Sequence, residues 1–200
     1  FITHINHMVL NYKKGEIKMK LILSIFGAII ICMNITYAKD LTQPKLKYEM
    51  TAKLYLEAPM PIEANQTIFS VVAEGSYIKL STGETWEVLS PCADWGYISA
   101  NGTVELDVRC TAKAEDGSFV RIDYKGRAKI NENGVKKIET SEVMTAPNDM
   151  YFITALTMQT QSEKYSWMND IIFTGKGELQ WWNDKGIPAY VEYTIYSVSP

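Results

Sequence analysis

Asp107 and Arg109 carry opposite charges two residues apart, and Asp94 and Tyr124 add a second carboxylate and a phenol. A carboxylate can act as a base when burial raises its pKa, and a cation or phenol can stabilise the negative charge that then develops. If Asp107 pairs with Arg109 it is the weaker candidate, because a neighbouring cation holds a carboxylate pKa down. A second set of residues is suited to holding a ligand. Trp95, Tyr124, Tyr151, Tyr165 and Trp167 can stack on a flat molecule, and Asp94, Asp107, Arg109 and Asn169 can orient it by hydrogen bonds. Most aromatic side chains of a globular domain belong to its core. Trp167 and Asn169 stand out because their segment is irregular, so strand packing alone does not require them.

The N-terminal region narrows this chemistry further. Lys20 followed by the apolar run Leu21 to Met33 and by Thr36-Tyr37-Ala38 has the pattern of a secretory signal peptide, residues 19–38. The run of 13 apolar residues is shorter than the roughly 20 needed to span a bilayer. Met19 is the expected start, and residues 1–18 read as a leader outside it. Removing the first 38 of 200 residues leaves 162, with 16 basic and 22 acidic side chains and a formal charge of −6. Both histidines, His4 and His7, go with the removed segment. The expected mature chain therefore has no Ser–His–Asp or Cys–His system and no histidine-ligated zinc, and no metal or cofactor is expected. An acidic balance gives no general attraction to nucleic acid, and no membrane association is expected after cleavage. Export places the protein in the periplasm or outside the cell.

The chain is 46% hydrophobic and 22% charged, which suits a domain with a substantial core. From Leu46 to Leu56 apolar and polar residues alternate, the signature of a half-buried strand. Similar runs occupy 67–80, 85–90, 93–100, 103–114, 118–130, 151–160, 171–182 and 189–198. Asn101-Gly102, Asp116-Gly117, Asn133-Gly134 and Lys185-Gly186 punctuate them as turns. Residues 162–169 leave room for one short helical turn. About nine strands without a linker or repeat predict a single all-β domain over 46–200, preceded by an extension at 39–45. The choice lies between an antiparallel barrel and a two-sheet sandwich, and a barrel is preferred because closure removes exposed edges. In 103–111, Val104, Leu106, Val108 and Cys110 share one face and Glu105, Asp107 and Arg109 the other. Periodicity alone leaves open whether the charged face meets solvent or a lumen.

Cys92 and Cys110 remain once Cys32 is removed. Pairing back from the Asn101-Gly102 hairpin brings Cys110 opposite position 92 or 93, and in an oxidising compartment a disulfide is expected over the alternative of two buried free thiols.

The order of motifs resembles the family of uncharacterised proteins known as domain of unknown function 3237, or uncharacterised protein family 0311. The matching pieces are Ala93-Asp94-Trp95, Glu105-Leu106-Asp107-Val108-Arg109, Asp116-Gly117 leading to Gly126, Tyr151-Phe152, Tyr165-Ser166-Trp167-Met168-Asn169, and Phe173 with Gly175. The resemblance spans about 46–198 and implies a lipocalin-like barrel without implying a reaction. Cys92 stands where the family usually has glycine, and Cys110 where an aromatic follows the arginine, which fits a disulfide added in an exported member. Ile153 stands where an arginine commonly follows Tyr-Phe.

Three functions fit these features. The first is a module that binds a small apolar or aromatic molecule in the barrel lumen. The second is a metal- and histidine-independent isomerase or lyase that uses Asp94 or Asp107 with Arg109 or Tyr124. The third is an exported structural or interaction domain presenting Trp181-Trp182 and the aromatic segment 190–196. Terminal peptide mapping of the exported protein is expected to find Lys39 at the mature N-terminus; a mature chain beginning before Met19 overturns this reading.

Overall fold

The computed structural model describes residues 43–200, so the expected leader and signal segments lie outside the described residues. Ten strands run in the order β1 Lys45–Leu56, β2 Met60–Glu63, β3 Gln66–Leu80, β4 Thr85–Ile98, β5 Val104–Lys113, β6 Phe119–Ile130, β7 Met144–Thr145, β8 Met150–Thr160, β9 Phe173–Gln180 and β10 Tyr190–Ser199. A helix α1, Glu132–Thr140, links β6 to β7, and a short 3-10 helix, Ser166–Asp170, precedes β9. The strands pair antiparallel in the order β1-β10-β9-β8-β6-β5-β4-β3, and β1 also pairs with β3, which closes an eight-stranded barrel. β2 adds to β3 and β7 to β9 outside this cycle. The barrel is thus the solution adopted over the sandwich.

Two of the strands are bent, which merges what the sequence separates. The runs 85–90 and 93–100 form one strand, β4, whose register against β5 shifts between Leu89 and Ala93. β3 bends where its pairing with β4 shifts between Ser70 and Tyr77. Gly75 has φ of 80° there, a backbone state that side-chain-bearing residues rarely adopt. The hydroxyl of the next residue, Ser76, accepts the Tyr55 N–H at 2.9 Å and donates to the Val72 carbonyl at 2.5 Å, so backbone groups left over by the bend are satisfied.

The interior is divided lengthwise. At one end Trp86, Met50, Val120, Met158, Met168 and Phe173 are fully or almost fully buried and fill the barrel. Tyr165 packs edge-on against Trp86 with ring centroids 4.9 Å apart and donates to Glu84 at 3.0 Å. Lys164 pairs with the same Glu84, and Ser162 donates to Asp116, so the segment before the 3-10 helix is tied to two hairpins of this end. The other end is hollow. Its inward positions on β6, β8 and β9 include Gly126, Thr154, Gly175 and Gly177, and the first three are cross-strand neighbours. The Phe152 ring lies over Gly177, where any side chain would collide with it.

Helix α1 was not foreseen, since Asn133-Gly134 reads as a turn. Its nine residues are mostly polar and its stability is local and tertiary. Asn131 caps it, accepting from Asn133 N–H at 2.9 Å and Gly134 N–H at 3.1 Å, an arrangement worth about 1 kcal/mol. Lys137 reaches Asp149 at 2.7 Å, and Asp149 also accepts the Thr145 N–H at 2.8 Å; these partners hold the Asp149 carboxyl below its usual pKa. The expected helical turn within 162–169 corresponds to the 3-10 helix.

Cys92 and Cys110 form a disulfide between β4 and β5, as the hairpin register requires. With the cysteines separated by 18 positions in sequence, loop closure predicts that the Cys92→Ala/Cys110→Ala variant loses about 3 kcal/mol of unfolding free energy in a urea titration. Two alkylatable thiols in the non-reduced protein would reject the bridge.

Candidate functional site

The hollow half encloses a lumen of 150 Å³. Its wall is apolar: Leu54, Val71, Leu106, Val108, Phe152 and Val191 line it, and Phe69, Trp181 and Trp182 lie at the mouth. The mouth aromatics are fixed. Trp182 stacks on Phe69 at 5.8 Å, meets Trp181 edge-on at 5.1 Å, and donates its indole N–H to the Glu57 carbonyl at 3.0 Å. The volume matches apolar cavities known to hold one aromatic ring.

Three polar side chains reach this lumen: Asp94 from β4, Tyr124 from β6 and Tyr193 from β10. Asp94 is inward because it shares the phase of Cys92, whose disulfide partner Cys110 continues the apolar face of β5. The regular β4–β5 pairing lapses between Asp94↔Val108 and Tyr97↔Glu105, and there the Asp107 N–H donates to Asp94 Oδ1 at 2.9 Å. The carboxylate stands in for a backbone acceptor. Among the described residues, no protein donor meets its other oxygen, Oδ2. Burial pushes the Asp94 carboxyl up to about 6; the Asp107 N–H opposes this rise and the Asp107 carboxylate adds to it.

The two phenols touch hydroxyl to hydroxyl at 3.3 Å, long for such a pair, with rings edge-to-face at 5.5 Å. Whichever donates, one hydroxyl proton is left without a protein acceptor. Burial raises both phenol pKa values; the Asp94 charge adds to each, and their mutual hydrogen bond partly offsets the rise for Tyr124. The site therefore pairs one carboxyl that titrates near neutrality with two phenols that stay neutral. It can orient a polar group at the base of an apolar cavity, and it can give or take one proton.

Of the residues expected at the site, the structure brings Asp94 and Tyr124 together in the lumen. Trp95, Asp107 and Arg109 lie on the outer face of the same wall, which corrects the lumen placement weighed for them. The reason is the two-residue period: once Leu106, Val108 and Cys110 point inward, Asp107 and Arg109 point out. There Asp107 pairs with Lys125 at 2.9 Å and Arg109 at 3.9 Å, and Arg109 sits 5.7 Å from the Trp95 ring. These residues line a broad outer groove of 630 Å³ together with Arg121 and Asp123, which pair at 2.5 Å. Its exposed charges are largely satisfied by one another, and such pairs contribute little energy.

The others are dispersed. Tyr151 is exposed on the outer face of β8, and Trp167 is exposed beside Phe173. Tyr165 belongs to the packed end. Asn169 accepts the Thr160 N–H at 2.9 Å and donates to the Thr160 carbonyl at 3.0 Å, so its amide terminates β8, far from the lumen. Tyr193, Phe152 and Phe69 were missed. Tyr193 is marked by its phase with Val191 and Ile195, and Phe152 by its phase with Leu156 and Met158. Trp181 and Trp182, weighed as a contact surface, are half-buried at the lumen mouth.

Fold and site together define a small antiparallel barrel, packed solid at one end and hollow at the other, with one carboxyl, Asp94, lining the hollow among the described residues. The chain belongs to the protein family of unknown function DUF3237, whose model matches residues 44–198. It is 26% identical over 147 residues to a UPF0311 protein of Clostridium acetobutylicum, covering 70% of this chain and 88% of that one. Among solved structures, a conserved protein of unknown function from Rhodopseudomonas palustris aligns with a TM-score of 0.66 at 19% identity, over 80% of this chain and 99% of that one. A β-barrel-like protein from Acinetobacter baumannii aligns with a TM-score of 0.61 at 19% identity, over 80% and 99% of the two chains. These likenesses establish the fold.

Asp94 makes the fold pH-dependent in a defined direction. Its folded pKa lies above the ordinary 3.8, at about 6. The folded state thus binds this proton more tightly than the unfolded chain, and the stability it adds is complete below the unfolded value. That contribution, about 3 kcal/mol, is lost as pH rises through the folded value. Asp94→Asn is expected to remove this part of the slope in urea unfolding titrations; a wild-type slope in the variant overturns the assignment.

Proposed function

We propose that this protein is exported and binds one small apolar or aromatic molecule in the barrel lumen. The observation that carries the reading is an apolar cavity that three polar side chains among the described residues, Asp94, Tyr124 and Tyr193, reach. Ligand cavities characteristically combine such a lining with a few placed polar groups. The rigid aromatic mouth supports it, since a preformed site loses little entropy on binding. The disulfide supports export, because such bonds persist in oxidising compartments.

A second reading is favoured by a specific observation. Asp94 titrates near neutrality beside two neutral phenols, the arrangement a general acid–base group requires. In that reading Asp94 moves the proton, and Tyr124 or Tyr193 stabilises developing negative charge on a carbonyl or cyclic substrate. Arg109, outside the wall, takes no part.

Native mass spectrometry of the purified protein after incubation with a metabolite extract tests the proposal. One bound small molecule is expected, and Ala128→Trp, which fills the lumen from β6, should lose it. Binding that survives in this variant places the site elsewhere. Capture of an unchanged molecule supports binding alone, and release of a converted one supports catalysis.

A further inference from the structure

The charge of the lumen discriminates between ligand classes. Among the described residues no lysine, arginine or histidine lines it, and its one carboxyl is Asp94, which is 9% exposed and has an oxygen that no donor among those residues meets. A buried carboxylate with one hydrogen bond is under-satisfied, and removing it from water is costly unless a donor or cation supplies the remainder. Aromatic rings line the same cavity: Tyr124 and Tyr193 meet edge-to-face, and Phe152 packs against Tyr193 with centroids 5.4 Å apart. Ring faces attract cations, and a carboxylate flanked by rings is a receptor for an ammonium group. An anion entering the same space meets uncompensated negative charge.

Building on the lumen-binding reading, we propose that the lumen selects small hydrophobic amines. The ammonium pairs with Asp94 Oδ2, and the apolar body extends past Phe152 toward Trp181 and Trp182. Tyr124 donates to Tyr193, so the Tyr193 hydroxyl supplies the donor and the Tyr124 oxygen the acceptor for any further polar group near the nitrogen.

Three near-isosteric probes separate this inference from the reading beneath it: 2-phenylethylamine, 2-phenylethanol and phenylacetate, each titrated calorimetrically at pH 7.5 against the full protein. The amine is expected to bind about 10- to 100-fold more tightly than the alcohol, the worth of one charge-assisted hydrogen bond, and phenylacetate more weakly than both. In Asp94→Asn the amine is expected to lose its preference over the alcohol measured on the same variant. Equal affinity for amine and alcohol in the wild type, or an amine preference that survives in Asp94→Asn, overturns the amine proposal and leaves lumen binding standing. Tightest binding of phenylacetate also overturns it. No binding of any of the three overturns both.

Discussion

One backbone N–H, that of Asp107, holds a carboxylate inside an apolar barrel, and the arrangement of the site follows from it. At neutral pH the Asp94 charge is tolerated because the β4–β5 ladder lapses where its side chain can act as the missing acceptor. A fully regular ladder would have engaged that N–H with backbone and left Asp94 without a bond. The same exchange satisfies only one oxygen. The other faces the lumen, and burial leaves the group near neutrality instead of well below it. Structural compromise and chemical potential are the same feature here.

The remainder of the barrel is organised so that this compromise is affordable. Its solid half supplies the packing: Trp86, Phe173 and the three methionines Met50, Met158 and Met168 are buried with almost no exposure, and Tyr165 with its Glu84 partner seals the end. Core methionines adapt to irregular gaps, which suits the narrowing end of a barrel. With stability concentrated there, the other half can remain hollow. Gly126 and Gly175 flank Thr154 on adjacent strands, where a side chain at either would collide with it, and Gly177 leaves room for the Phe152 ring.

Much of this was legible in the sequence, and the gaps have physical causes. The alternation from Leu46 to Leu56 and the Asn101-Gly102 turn were enough for an all-β fold and for the register that joins Cys92 to Cys110. That register also contains the inward direction of Asp94, because Cys92 and Asp94 share a face, and the outward direction of Trp95, Asp107 and Arg109. Helix α1 was hidden because its anchors, Asn148 and Asp149, lie beyond its C-terminal end and act through tertiary contacts. The lapse in the ladder at Asp94 was not legible, since a side chain replacing a backbone acceptor leaves no mark in periodicity. Asn169 misled for a related reason: an amide in an irregular segment is as well suited to ending a strand as to meeting a ligand.

The disulfide and the carboxylate occupy the same seam. Cys92 lies two residues before Asp94 on β4, and Cys110 lies two residues after Val108, its pairing partner on β5. A ladder that surrenders backbone pairing at one point is weakened there, and a covalent bond one inward position away restrains the two strands from separating. Without such a restraint, local opening would let water reach Asp94 and lower its pKa toward that of an exposed carboxylate. The bridge therefore acts on the site through geometry and not only on global stability. A cross-link is most useful where the hydrogen-bond ladder has been given up to hold a charge, and that is where this chain carries it.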